Sequence, residues 1–199
     1  MRRLIREHGP CRLVPEARRS PFEALVSAVA HQQLHGKAAE TILGRFRALF
    51  VPVRFPTARR LAEVTDDDLR GCGFSRAKTA ALRDIAAQTL SGVVPGSRAI
   101  AGMGDEEIIA RLTAVRGVGR WTVEMLLIFK LGRPDVLPAD DFGVRSGVRA
   151  AFGLTALPSP KEVLAHGERW RPYATTAAWY LWRAADAAQE RKALAGVNA

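Results

Sequence analysis

Two glycines and one aspartate form the part of the sequence best suited to chemistry. Gly117 and Gly119 bracket Val118 between two apolar helical patterns. Glycine permits a tight turn at that point, and a turn between two helices points backbone N–H groups at an anion such as a DNA phosphate. Asp141 follows in the segment Ala139-Asp-Asp-Phe-Gly-Val144. The spacing therefore places an anion-binding turn and a carboxylate in one local unit.

Helices must position these residues, because nearly every segment of the chain has a helical pattern. Residues 105–112 lead into the glycine turn, and residues 121–131 leave it with apolar side chains on one face. The segments 20–23 and 159–162 both read Ser-Pro-x-Glu, which is the capping box of a helix start with proline at the first helical position. Convincing strand alternation is absent, so we expect an all-α fold.

The charge and cysteine content narrow the class of protein. Thirty Lys and Arg residues against twenty Asp and Glu residues leave a formal net charge of +10, which favours a polyanionic partner such as nucleic acid. Cys11 and Cys72 are the only cysteines, which excludes a four-thiolate cluster and fits a reducing compartment. No secretory signal or membrane-spanning run is present in the sequence, so we expect a cytoplasmic protein that does not bind membranes.

The two motifs together resemble the signature of a known enzyme family. The run Gly117-Val-Gly-Arg-Trp-Thr122, followed by Ala139-Asp-Asp-Phe-Gly-Val144, is similar to the helix-hairpin-helix and aspartate signature of a superfamily of DNA glycosylases. Within that superfamily, the residue types of the two motifs are most similar to those of the alkylation-repair branch, the 3-methyladenine DNA glycosylase II family. The resemblance covers residues 20–185, which is most of the chain.

The resemblance implies an architecture of two helical lobes with a DNA-binding cleft between them. We expect a single compact core over residues 1–199. One lobe spans about residues 36–131, and the second is built from residues 1–35 and 132–199. Because the first capped helix begins near Ser20, the N-terminal β-rich domain of some relatives is not expected.

The resemblance also implies a monofunctional DNA glycosylase that flips an alkylated base out of duplex DNA and hydrolyses its N-glycosidic bond. Asp141 aligns with the essential aspartate of the family. A carboxylate there would stabilise the positive charge that develops on the sugar, or orient a water molecule. An alkylated, cationic base leaves without a strong general acid. The alternative is that Asp141 or Asp140 caps the following helix, and we interpret Asp140 as a cap or a supporting residue.

Four residues are predicted to line the base pocket: Trp121, Trp182, Met125 and Gln33. Trp121 stands where relatives with lyase activity carry a lysine, which argues against a Schiff base at this position. A tryptophan face can stack on a flipped base and attract a cationic one. Burial in the core is the alternative for both tryptophans. Gln33 is part of a segment that lies beside the cleft in the family, where His35 replaces the usual serine; an ordinary polar helix end is its alternative.

The DNA contacts are predicted from the turn and from a second, glycine-rich loop. Phe74 is the candidate for the apolar side chain that fills the gap left by a flipped base, and a core position is its alternative. Basic residues near both loops are candidates for phosphate contacts or are plain surface charges. The predicted DNA-binding set is Gly117, Val118, Gly119, Arg120, Phe74, Arg76 and Lys78, with Arg116 as a further phosphate neighbour.

No cofactor is expected, and no His or Cys pair has the spacing of a metal site. The resemblance implies that backbone carbonyls of the hairpin hold a monovalent cation against the phosphate. The expected partner is double-stranded DNA with alkylated bases, bound by a monomer. Two other functions fit parts of the pattern. A non-catalytic DNA-binding module would need the hairpin but not Asp141, whereas a glycosylase for another lesion class is disfavoured by the missing lysine and cysteines.

Overall fold

A computed structural model describes residues 1–34 and 36–197 of the 199-residue chain. Within these residues the regular elements are helices and none is a strand, so the expected all-α fold class is confirmed. The chain divides into two units. The middle unit comprises Glu16–Leu131, and the terminal unit comprises Met1–Pro15 together with Gly132–Ala199.

The α-helices of the described residues are, in chain order, α1 (Arg2–His8), α2 (Pro21–His31), α3 (Gly36–Ala48), α4 (Ala58–Glu63), α5 (Asp66–Gly71), α6 (Arg76–Leu90), α7 (Ser97–Ala101), α8 (Asp105–Leu112), α9 (Arg120–Leu126), α10 (Phe142–Phe152), α11 (Pro160–Gly167) and α12 (Ala174–Val197). A π-helical turn, Leu127–Leu131, continues α9, and a 3-10 turn, Glu168–Trp170, follows α11. Helices α2 to α9 belong to the middle unit, and the other four belong to the terminal unit.

Hydroxyl side chains start many of these helices. The complete capping box predicted at Ser159 is present, because Ser159 Oγ accepts the Glu162 N–H and the Glu162 carboxylate accepts the Ser159 N–H at 2.7 Å. The Ser159 N–H and the Ser159 hydroxyl both donate to the Glu162 carboxylate, which holds the pKa of Glu162 below its usual value. At Ser20 only half of the predicted box forms. Ser20 Oγ accepts the Glu23 N–H, whereas the Glu23 carboxylate pairs with Arg19.

The middle unit begins earlier than the sequence indicates, at Glu16 rather than at residue 36. The reason is that α2 packs against α6 and α9, and its Leu25 is completely buried. The chain before α2 is tied to the π-helical turn by two hydrogen bonds. The Glu16 N–H donates to the Phe129 carbonyl at 2.7 Å, and Lys130 Nζ donates to the Ala17 carbonyl at 2.8 Å.

The core of the terminal unit lies where α10 packs on α12. Val144 and Val148 of α10 and Leu181 of α12 are completely buried there. The helices approach so closely that a Cβ added to Gly147 would overlap the carbonyl oxygen of Leu181. Glycine at this position therefore sets the separation of the two backbones.

Within residues 1–34 and 36–197, no helix combines the length and the apolar composition that crossing a bilayer requires.

The contact at Gly147 predicts a large loss of stability on a small substitution. Gly147→Ala introduces a methyl group against main-chain atoms that cannot rotate away, so we expect the free energy of unfolding to fall by about 3 kcal/mol. Urea unfolding followed by circular dichroism measures this change.

Gly44→Ala is the matched control, because Gly44 is an exposed residue inside α3 with open space around it. There, the higher helix propensity of alanine should stabilise the protein by up to about 1 kcal/mol. Equal stabilities for Gly147→Ala and the wild type would show that α10 and α12 can separate at little cost.

Candidate functional site

Asp141 stands at the N-terminus of α10 and is fixed there by its own helix. Its backbone is extended, with φ −64° and ψ 125°, and its Oδ1 accepts the Val144 N–H at 2.7 Å. Asp141 is therefore the cap of α10, as the alternative interpretation expects. Capping is compatible with catalysis, since the hydrogen bond holds the carboxylate in one rotamer. The neighbouring Asp140 is exposed to solvent, and Asp141 rather than Asp140 caps the helix.

Trp182, on α12, is in direct contact with Asp141. The indole Nε1–H donates to Asp141 Oδ1 at 2.8 Å, so two N–H groups converge on one carboxylate oxygen. The indole is only partly buried. The structure thus brings together the predicted carboxylate and one of the two predicted tryptophans.

The hairpin of the middle unit turns at Gly117. This residue has φ +76°, and an added Cβ would lie 2.5 Å from the Cβ of Ala81 on α6. Both the backbone conformation and the packing therefore require glycine. Gly119 is different, because its φ of −86° suits any residue and no atom lies within 4 Å of an added Cβ. Val118 is 3% exposed and its N–H donates to the Val115 carbonyl at 3.0 Å, so this residue anchors the turn within the protein.

Gln32 joins the hairpin to the end of α2, and it is not among the site residues predicted from the sequence. Its Nε2 donates to the Gly117 carbonyl at 3.0 Å and to the Thr122 hydroxyl at 2.9 Å. Gln33, the predicted pocket residue, is exposed and has φ +57°. The pair of adjacent glutamines was the available signal, but sequence alone does not indicate which one bonds the hairpin. His35 lies outside the described residues.

Helix α6 holds both the hairpin and the end of α2. Lys78 Nζ donates to the carbonyls of Ala30 at 2.9 Å and of Gln32 at 2.8 Å, which caps the C-terminus of α2. Partial burial lowers the pKa of Lys78 below its usual value. Two turns along α6, Asp84 Oδ2 accepts the Arg116 N–H at 2.7 Å. Lys78 is thus a structural cap in this conformation, and its predicted role as a phosphate ligand is not supported.

Arg120, also predicted to contact phosphate, is engaged by two carboxylates. Its guanidinium donates to both oxygens of Glu106, at 2.7 and 3.3 Å, and to Glu124 at 3.1 Å. The hydrogen bond with Glu106 raises the pKa of Arg120, and the same bond lowers the pKa of Glu106. Arg120 therefore bridges α8 and α9, and a phosphate would have to compete with Glu106 for it. Arg76 and Arg116 have exposed side chains, as a phosphate contact requires.

Phe74 is a core residue, and the prediction that it enters the DNA is wrong. Its side chain is 3% exposed, and its ring packs edge-on against Phe46 at a centroid distance of 5.8 Å. Removing this ring from the core would expose apolar surface to water. The phenylalanine therefore anchors the glycine-rich loop before α6 in the core.

Trp121 and Met125 lie one turn apart at the start and near the end of α9, and both are partly buried. This spacing places them on one face of the helix, as the sequence pattern predicts. Trp121 belongs to the middle unit, while Trp182 and Asp141 belong to the terminal unit.

Among the described residues, no group of three or more His, Cys, Asp or Glu side chains is placed to hold a metal ion. Cys11 and Cys72 are both free thiols, and burial raises the pKa of Cys72.

Comparison with known proteins identifies the family. The model of the HhH-GPD superfamily base excision DNA repair protein family matches residues 26–172. DNA-3-methyladenine glycosylase 1 of Schizosaccharomyces pombe is 42% identical to this chain over 190 residues, which cover 96% of this chain and 82% of that protein. The alkylbase DNA glycosidase-like protein mag2 of the same yeast is 35% identical, with 90% of this chain and 85% of that protein covered.

Solved structures agree in fold. The 3-methyladenine DNA glycosylase of Schizosaccharomyces pombe in complex with abasic DNA matches with a TM-score of 0.87 and 43% identity, covering 92% of this chain and 89% of that one. A DNA-3-methyladenine glycosidase from Bacillus halodurans matches with a TM-score of 0.78 and 34% identity, covering 94% of this chain and 85% of that one. The Gly117 hairpin and the Asp141 cap both lie within the matched residues. The chain belongs to the HhH-GPD superfamily of base excision DNA repair proteins.

Proposed function

We propose that the chain is a monofunctional DNA glycosylase that hydrolyses the N-glycosidic bond of alkylated bases in duplex DNA, in the manner of a 3-methyladenine DNA glycosylase. The observation that carries this proposal is the carboxylate of Asp141, held by the Val144 N–H and the Trp182 indole. The relatives named as DNA-3-methyladenine glycosylases support the same activity.

The proposed role of Asp141 is to stabilise positive charge electrostatically. As the glycosidic bond breaks, positive charge develops on the sugar. A fixed carboxylate nearby stabilises this charged sugar more than it stabilises the neutral sugar of the bound substrate. A base alkylated on a ring nitrogen is already cationic, so it departs without being protonated by a strong acid. One carboxylate is therefore sufficient for hydrolysis, and a water molecule completes the reaction at the sugar.

In this proposal, aromatic side chains select the base: Trp121, which lies one turn from Met125 on α9, and Trp182, which contacts Asp141. Gln33 stays a predicted contact of the base. The face of a tryptophan ring attracts a cation through the ring quadrupole, so a cationic alkylpurine is favoured over a normal base. The family resemblance places Trp121 where lyase relatives carry the lysine nucleophile. Without that amine, no covalent Schiff base forms there, and the DNA strand stays intact.

The hairpin is proposed to anchor the DNA backbone. Helix α9 begins at Arg120, directly after the turn, and the first N–H groups of a helix lack intrahelical partners. Such groups bind phosphate well, and Gly119 lets a phosphate come close because it carries no side chain. The exposed Arg76 and Arg116 and the net charge of +10 add a longer-range attraction to DNA.

A monovalent cation at the hairpin is a further proposal. The carbonyl oxygens of Val115 and Gly117 each accept one protein N–H, from Val118 and from Gln32. Each carbonyl oxygen has a second lone pair, which fits a cation on the outer side of the turn. The catalytic step itself needs no cofactor in this proposal. The monomeric state and the cytoplasmic location of the protein also remain predictions. The free thiols of Cys11 and Cys72 fit a reducing compartment.

A first prediction concerns Asp141→Asn. The amide oxygen of asparagine can still accept both N–H groups, so the cap and the indole contact survive while the negative charge is lost. We expect the release of 3-methyladenine from methylated DNA to fall by about 10² to 10³-fold with DNA affinity unchanged. The exposed Asp140 supplies the matched control, Asp140→Asn, which should keep full activity. Near-normal turnover by Asp141→Asn would remove this residue from the mechanism, whereas a wild type that binds DNA but releases no base would favour a non-catalytic DNA-binding module.

The two hairpin glycines should behave differently. Gly119→Ala has room within the protein, so the fold should stay intact while the new methyl group meets the DNA backbone. We expect normal and damaged duplexes to bind about tenfold more weakly, which is about 1.4 kcal/mol, because phosphate contacts carry no sequence information. Gly117→Ala should instead disrupt the turn through its collision with Ala81. Fluorescence anisotropy and thermal unfolding separate the two effects.

Gly104→Ala is the control for Gly119→Ala. Gly104 is likewise an extended residue that precedes a helix, with φ −72° and open space around it. Any general cost of alanine at such a position therefore appears in both variants. Equal DNA affinities for the two variants would show that the hairpin is not the anchor.

The role of Trp121 predicts a change in lesion preference. Trp121→Ala should lose activity on 3-methyladenine and 7-methylguanine more than on a neutral etheno adduct, by about 1–2 kcal/mol of transition-state binding. Trp121→Phe should keep part of the preference. Single-turnover excision of each lesion measures the ratio, and equal losses on charged and neutral lesions would exclude a cation–π contribution. The wild type should release free base without strand scission, and a covalent adduct trapped by borohydride would contradict the monofunctional assignment.

A further inference from the structure

Gly143 lies at the second helical position of α10, between Asp141 and the indole of Trp182. A Cβ built on Gly143 would lie 2.8 Å from Trp182 Cδ1, 3.2 Å from Trp182 Nε1 and 3.0 Å from Asp141 Oδ1. The first of these separations is shorter than a real Cβ contact, and the other two are tighter than ordinary van der Waals contact. A side chain at 143 would therefore force the Trp182 indole or the Asp141 carboxylate to move.

The backbone does not explain this glycine. Gly143 has a helical conformation, and its φ is not among the positive values of the chain. Alanine is favoured over glycine in a helix, so glycine here carries a conformational cost. The cost is offset by the close approach of the indole, which no side chain at 143 would permit.

The indole cannot easily move elsewhere, because α12 is held against α10 below it. Gly147, one turn along α10 from Gly143, contacts the backbone of Leu181, the residue that precedes Trp182. Leu181 itself is completely buried. The backbone next to the indole is therefore fixed, and a methyl group at 143 has to be accommodated by the Trp182 or Asp141 side chain.

We propose that Gly143 is a positioning residue of the excision site, which admits the Trp182 indole to Asp141 and thereby fixes the orientation of the carboxylate. This inference rests on the proposed function, since it assigns a purpose to the geometry of Asp141. Trp182 is then more than an aromatic wall. Its N–H is the second of two donors that hold Oδ1, the first being the Val144 N–H, which belongs to the helix itself.

A displacement of about 1 Å of a reacting group can lower the rate of the chemical step strongly. Gly143→Ala leaves Asp141 and Trp182 in the sequence but separates them. We expect its single-turnover excision of 3-methyladenine to fall by about tenfold or more, while KM and the affinity for abasic-site DNA change by less than about twofold. Trp182→Phe keeps an aromatic ring but removes the N–H, and it should lose a similar factor.

A double-mutant cycle tests whether both residues act through one contact. If they do, the variant that combines Gly143→Ala with Trp182→Phe should be about as slow as either single variant, rather than showing the product of the two losses. Multiplying losses would overturn the proposal. Gly44→Ala, a helical glycine with open space, is the matched control and should excise at the wild-type rate.

A spectroscopic measurement tests the contact without relying on turnover. In a ¹H–¹⁵N spectrum, the Trp182 indole proton of the wild type should resonate at the low field typical of a hydrogen bond to a carboxylate, and it should move upfield in both Gly143→Ala and Asp141→Ala. An unchanged indole resonance in Gly143→Ala would overturn the proposal. If the wild type released no alkylated base at all, the proposed function would fail while this resonance still reported on the contact.

Discussion

The close packing of α10 against α12 is the constraint on which the terminal unit depends. Gly143 and Gly147 are four residues apart, so they lie on one face of α10 and leave a groove without side chains. The backbone of α12 occupies that groove at Leu181, and the next residue, Trp182, reaches Asp141. Leu181, which packs against α10, and Trp182, which contacts the proposed catalytic carboxylate, are therefore adjacent in the chain. The same two helices that form the core of the unit also determine where the carboxylate points.

In the middle unit, hydrogen bonds from side chains hold the hairpin and the end of α2 in place. Helix α6 presents Lys78, Ala81 and Asp84 at three-residue intervals, which places them along one face. Lys78 caps the end of α2, Ala81 lies against Gly117, and Asp84 accepts the Arg116 N–H. Gln32 closes the arrangement from the α2 side. The hairpin is therefore held from two directions before any DNA is bound, which reduces the ordering that binding would otherwise require.

The local patterns of the sequence were sufficient for the helical fold class and for the glycine turn, because each depends on residues close together in the chain. They did not decide whether Asp140 or Asp141 caps α10. Local patterns do not show whether a side chain is buried, or which residue far away in the chain it contacts. Phe74 follows a flexible-looking glycine loop, yet its burial is decided by Phe46 in another helix. Lys78 and Arg120 look like free cations in the sequence, yet their partners lie 46 and 14 residues away in the chain, at Gln32 and Glu106. The start of the middle unit was misplaced for the same reason, since α2 joins it through packing on α6 and α9.

The glycines of the hairpin and of the Asp141 motif are required for different physical reasons. Gly117 is required by its positive φ and by Ala81, and Gly143 is required by the indole of Trp182. Each therefore has a cause inside its own unit. Gly119 has neither cause, because its backbone is ordinary and its surroundings are empty. The proposed function supplies a reason for Gly119 that the protein alone does not, because a phosphate of the DNA backbone would approach the N-terminus of α9 most closely where no side chain intervenes.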